Sequence, residues 1–123
     1  LLKNDLYTVN SITESPSALL VSVELNGAHP LFKGHFPGQP VLPGVCMLEM
    51  IQEMMAEQQG QKLRISKGPL IKFLAMIVPE RNPSLLIELN YEPEPGGISV
   101  RGRIYYETTV FMKYHLVLVP EPD

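Results

Sequence analysis

Between Asn26 and Pro43 the chain carries Gly27, Pro30, Gly34, Pro37, Gly38, Pro40 and Pro43, a density of breakers that excludes a long helix or an interior strand. Loops of that length are uncommon in compact domains, and those that occur are usually functional. The breakers then stop. From Gly44 to Gln59 nothing interrupts a helix; Pro43 suits its first position and Gly60 the residue past its end. At about 100° per residue, Met47, Leu48, Met50, Ile51, Met54 and Met55 fill one apolar arc. Glu49, Gln52, Glu53 and Glu57 fill the opposite one, so the helix packs one face on a core.

The rest of the chain reads as strand. Leu6 to Ile12 is a weak first strand, and Ala18 to Leu25 alternates apolar residues with Ser22 and Glu24. After the helix, strands are expected at Lys62 to Ile65, Pro69 to Val78, Ser84 to Tyr91, Ile98 to Tyr106 and Phe111 to Val119. The last three form a meander. Ile98, Val100 and Ile104 against Ser99, Arg101 and Arg103 mark an antiparallel sheet with one buried face. One long helix covering a curved antiparallel sheet is an α+β arrangement, expected as a single domain over residues 1–123.

Composition narrows the function. A formal net charge of −3 argues against a general polyanion binder, so nucleic acid is not an expected partner. Lys62, Arg64, Lys67 and Lys72 nevertheless fall close together and suit a local basic surface. The single cysteine, Cys46, permits no internal disulfide, and no Cys/His cluster has zinc-site spacing; a metal-free protein of a reducing compartment is expected. No apolar run is long enough to span a bilayer. The start, Leu1-Leu2-Lys3, shows no signal-peptide pattern, and a cytoplasmic location is the expectation.

The chemistry-bearing residues gather where the loop meets the helix. His35 stands in the Gly/Pro loop, the helix start follows nine residues later, and Glu49 lies in the second helical turn. An imidazole titrates near neutrality and can act as a base. A carboxylic acid can protonate a leaving oxygen, and free N–H groups at a helix start can hold a developing oxyanion. Proton abstraction beside a carbonyl uses all three. Spacing alone leaves the ordinary readings open, with His35 bonded to a loop carbonyl and Glu49 simply solvated. His29 and His115 have no companion acid in sequence reach and read as structural.

The segment His29-Pro30-Leu31-Phe32-Lys33-Gly34-His35-Phe36-Pro37-Gly38-Gln39-Pro40-Val41-Leu42-Pro43-Gly44-Val45, with Glu49, resembles the active-site signature of the 3-hydroxyacyl-(acyl-carrier-protein) dehydratases of fatty-acid synthesis. Ile71-Lys72-Phe73-Leu74 and Val78-Pro79 extend the likeness more weakly, to about half of the chain. The resemblance implies the hotdog fold, a curved antiparallel sheet wrapped around one long central helix. It implies His35 as the base at C2 of the acyl thioester and Glu49 as the acid for the departing 3-hydroxyl. The Gly44 N–H would hold the thioester oxygen, and no cofactor would be needed.

The same resemblance implies a homodimer, since in this family the histidine and acid of one site come from different subunits; a hexamer is a further option. It implies acyl carrier protein as partner, with Lys33, Lys62, Arg64 and Lys67 as candidate docking residues. Phe32, Phe36, Leu42 and Met47 are candidates for an acyl tunnel. Glutamate rather than aspartate at position 49 is similar to the branch that dehydrates without isomerising. Two features depart from the family: Glu53 stands where glutamine is usual, and the turn Glu92-Pro93-Glu94-Pro95-Gly96-Gly97 is distinctive. They point toward a specialised dehydratase, for polyene or other secondary acyl chains. The alternatives are a hotdog thioesterase and a non-catalytic acyl or carrier-protein binding module.

Overall fold

The structure is a computed structural model that describes residues 1–34, 38 and 40–122. Strands β1 (Tyr7–Ser15) and β2 (Ala18–Leu25) come first, then a single helical turn, α1 (Leu31–Gly34), and the long helix α2 (Gly44–Gln59). Strands β3 (Leu63–Phe73), β4 (Ser84–Glu94), β5 (Gly97–Tyr106) and β6 (Thr109–Pro120) complete the order. They form one antiparallel sheet in the order β1-β2-β4-β5-β6-β3. The α+β hotdog arrangement expected from the sequence is the one observed.

Helix α2 buries Cys46, Met47, Met50, Ile51, Met54 and Met55. The facing side of the sheet supplies Val21, Ile87, Leu89, Val100, Ile104, Met112 and Leu116, all within 1% of complete burial. Each such aliphatic side chain stabilises the fold by about 1.5–3 kcal/mol relative to exposure. The helix starts one residue later than expected: Pro43 is its N-cap, with extended φ −63° and ψ 145°, and Gly44 is its first residue. At the other end Gly60 takes φ 64°, a left-handed cap that returns its N–H to the last turn.

Three details differ from the sequence expectation. The loop between Asn26 and Pro43 includes α1, where the Phe32 and Lys33 N–H groups bond the carbonyls of His29 and Pro30. The strands expected at Lys62 to Ile65 and Pro69 to Val78 are one strand, β3. Register shifts between Ile65 and Lys67 and between Lys67 and Leu70 absorb Gly68 and Pro69. An edge strand tolerates proline because one side of its backbone has no ladder to break. Residues 74–78 then leave the sheet, and the Leu42 N–H bonds the Ile77 carbonyl at 2.9 Å, tying the end of the loop to this segment.

Two tyrosines report on the packing of the sheet and helix. The Tyr114 hydroxyl, almost fully buried, donates to the Glu88 carbonyl at 2.8 Å, and burial pushes its pKa well above the usual tyrosine range. Tyr7 is raised likewise, by burial first and then by the charge and hydrogen bond of Glu53. In the unfolded chain both ionise near pH 10, whereas the fold holds them neutral. Stability is therefore complete below about pH 10 and falls above it, by about 1.4 kcal/mol per pH unit for each tyrosine. Urea denaturation at stepped alkaline pH is expected to show this slope, and Tyr114→Phe to remove about half of it.

Candidate active site

The N-terminus of α2 is built without a side-chain cap, because proline has none to offer. The Cys46 N–H returns to the Pro43 carbonyl at 3.0 Å. The N–H groups of Gly44 and Val45 have no acceptor among the described residues. Two open donors at the positive end of a helix dipole suit a developing negative charge. The Phe73 ring lies directly against Gly44: a Cβ added there would come within 2.5 Å of its Cζ atom. Glycine at 44 is thus what lets the end of β3 approach the helix start so closely.

Glu49 lies one turn further along, exposed and without a hydrogen-bond or ion-pair partner among the described residues. Its charge is felt by Cys46, whose thiol is pushed up first by burial and then by this carboxylate. A buried thiol held protonated is no nucleophile, and Cys46 belongs to the core. The structure therefore brings Gly44 and Glu49 to the same end of one helix. His35 and Phe36 lie outside the described residues.

The tunnel candidates Phe32, Leu42 and Met47 are 7%, 3% and 3% exposed and sit in the hydrophobic core. Of the docking candidates, Lys33 is exposed on α1, Lys62 precedes β3, and Arg64 and Lys67 are exposed on β3. A surface cavity of about 830 Å³ lies away from Gly44, between the C-terminal half of α2 and the start of β3. Gln52, Ala56, Gln61 and Leu63 are among the residues that line it.

Glu53 has a role that sequence reading did not find. Its carboxylate accepts the Leu2 N–H at 2.8 Å, the Lys3 N–H at 3.0 Å and the Tyr7 hydroxyl at 3.3 Å. Glutamate rather than glutamine here gives an acceptor-only group for three donors, and it straps residues 1–7 to the helix. Neighbouring Gln52 accepts the Ile65 N–H at 3.2 Å, fixing the same helix to the first bulge of β3. The unusual residue at 53 was the available signal, but its partners lie some fifty residues away in sequence. Glu53→Ala is expected to lower stability by about 1–3 kcal/mol in urea denaturation and to expose the N-terminal segment to protease.

The chain is similar in sequence and in fold to known dehydratases. The dehydratase FabZ of Clostridium acetobutylicum, named for 3-hydroxyacyl-(acyl-carrier-protein), is 32% identical over 75 residues, covering 55% of this chain and 53% of that protein. The FabZ of Syntrophomonas wolfei is 37% identical over 76 residues, covering 56% and 51%. The chain thus spans about half the length of these relatives. A chain of the dehydratase heterocomplex ApeI:P from Xenorhabdus doucetiae superposes with a TM-score of 0.74 at 18% identity, covering 91% of this chain and 96% of that one, which establishes a shared fold. Residues 11–103, from β1 to the middle of β5 and including the loop, the helix start and Glu49, match the family described as ApeI-like, ApeI dehydratase. The chain belongs to the ApeI-like dehydratase family.

Proposed function

We propose that this protein dehydrates 3-hydroxyacyl thioesters, carried on acyl carrier protein, to trans-2-enoyl thioesters. The carrying observation is the pair of N–H groups at the start of α2 that have no acceptor among the described residues, with the exposed Glu49 carboxylate one turn on, in a chain of a dehydratase family. The thioester oxygen accepts from the Gly44 N–H, which stabilises the negative charge that develops when the C2 proton leaves. His35 takes that proton. Protonated Glu49 donates to the 3-hydroxyl as the C3–O bond breaks, so water departs and the C2–C3 double bond forms. The two groups work in opposite protonation states, a neutral imidazole and a neutral carboxylic acid.

Two copies make the complete site in this reading. Strand β3 is a free edge, and Leu70, Phe73 and Leu74 on and beside it are 45–50% exposed; Val45 and Met76 are 71% exposed. An edge this apolar is a template for pairing with another chain, and a second copy covering it would also close water away from Glu49. A hexamer of three such dimers is the larger form of the same proposal, in the cytoplasm. The finer reading, a dehydratase specialised for polyene or other secondary acyl chains, is supported by Glu53 and by the tight turn between β4 and β5.

The test is incubation with 3-hydroxyacyl-carrier protein over a series of chain lengths, read by mass spectrometry of the intact carrier. Loss of one water with the thioester retained is the expected result. Release of free acid would make the protein a thioesterase instead, and an unchanged thioester at every length would make it a binding module.

A further inference from the structure

The charges of this chain are sorted by strand. β3, β5 and β6 together contain six of its ten Lys and Arg residues and no Asp or Glu. Register places those six on one face. Residues directly opposite in an antiparallel pair point the same way. Ile104 pairs with Met112, Val100 with Leu116 and Ile65 with Leu118, all toward the helix. Arg103 opposite Lys113, Lys113 opposite Lys72, and Arg101 opposite His115 therefore face outward, as do Lys67 and Arg64. Arg64, Lys67, Lys72, Arg101 and Lys113 are exposed.

This arrangement opposes folding. Lys72, Lys113 and Arg103 stand in one row across three strands, each about 5 Å from the next, and like charges directly opposite destabilise a sheet. Among the described residues only Arg103 of the six has a carboxylate within reach, Glu88 on β4 at 3.6 Å, and it also lies 4.1 Å over the Tyr105 ring. His115 is bonded to Ser99 at 2.8 Å, and Glu92 on β4 marks the acidic border of the patch. In a chain of net charge −3, such a cationic face is held against its own repulsion.

We infer that the outer face of β3-β6-β5 is a docking surface for an acidic protein, namely the carrier that presents the acyl thioester. The inference rests on the dehydratase reading for the carrier's identity. The patch runs about 20 Å along β3 from Arg64 to Lys72, which lie opposite Val119 and Lys113 of β6, and this is the length of one helix of about thirteen residues. It suits an acidic helix lying along the strands. Glu49, Glu53 and Glu57 on α2 and Glu14 and Glu24 on β1 and β2 would repel a duplex or bilayer that extended past it. β3 is also a free edge, so pairing it with a second copy would make the two cationic faces continuous. Arg64 and Lys67 of the sequence-based docking set belong to this face; Lys33, on α1, does not.

Two variants test it, the triple Lys72→Gln/Arg101→Gln/Lys113→Gln and the single Lys113→Glu. Binding of the holo carrier proteins encoded in the same genome is measured by fluorescence anisotropy, and turnover is compared between carrier-linked substrate and the same acyl group on pantetheine. The triple variant is expected to weaken carrier binding and raise KM for the carrier-linked substrate about tenfold or more, with pantetheine kinetics unchanged. The wild-type affinity is expected to fall steeply between about 50 and 300 mM salt. Lys113→Glu is expected to weaken binding too while raising Tm by a few degrees, about 2–5 °C, because it ends the repulsion in the row. Unchanged carrier binding in both variants, or equal loss on carrier and pantetheine substrates, would overturn the docking face. Binding of single-stranded RNA or phosphatidylglycerol vesicles in place of the carrier would overturn it as well. If wild type binds the carrier through these residues and dehydrates neither substrate, the docking face stands and the dehydratase reading falls.

Discussion

Replacing His35 with alanine is expected to lower dehydration of a 3-hydroxyacyl thioester by about 10³-fold, with far-ultraviolet circular dichroism and Tm unchanged. Glu49→Gln is expected to cost a similar factor, because the amide keeps the shape of the side chain and loses the transferable proton. The pair also tests the shared site. If His35 and Glu49 of one site come from two copies, mixing the inactive variants under conditions that exchange subunits produces mixed dimers with one intact site. Roughly a quarter of wild-type activity should return, since half of a random mixture is mixed and each mixed dimer has one working centre. Activity that stays at zero after verified exchange would place both groups within one chain. A His35→Ala protein with wild-type turnover would remove the base from the mechanism.

Gly102→Ala is expected to be the most destabilising single substitution in the sheet, at about 3 kcal/mol or more, a fall in Tm of roughly 10 °C. A Cβ at 102 would overlap the Glu88 carbonyl oxygen, would lie 2.7 Å from the Glu88 carbonyl carbon and 3.3 Å from the Tyr114 hydroxyl. Glycine here leaves the passage through which Tyr114, from β6, reaches across β5 to the backbone of β4. The principal obstacle is backbone, which cannot rotate away. Adding Tyr114→Phe should therefore not rescue the alanine variant, and a rescue in thermal denaturation would show that the hydroxyl was the only conflict.

Much of the architecture was legible because its signals are local. Pro43 and Gly60 bracket α2, and the two-residue alternation of β2 and β5 marks their buried faces. Gly44 and Glu49 were readable as a pair because five residues of helix fix their relation. What was not legible depends on partners distant in sequence. Gly68-Pro69 reads as a break, yet bulges carry one strand past it because β6 supports it from the other side. Residues 74–78 read as strand from their apolar run but leave the sheet after a last contact with β6, where the Leu74 and Ala75 N–H groups converge on the one Phe111 carbonyl. The three carboxylate contacts of Glu53 and the row Lys72-Lys113-Arg103 exist only once register is set between segments far apart in the chain.

The position of β3 also governs how the chain can be made. Within the sheet its one neighbour is β6, so the residues just after α2 wait for residues 109–120 before they find a strand partner. During synthesis β1, β2, β4 and β5 can assemble as they emerge, whereas the strand beside the helix stays unpaired until β6 leaves the ribosome. Pairing at such sequence separation is slow, and it leaves an apolar segment open in the meantime. A ribosome stalled between β5 and β6 would thus display Leu70-Ile71-Lys72-Phe73-Leu74 to chaperones.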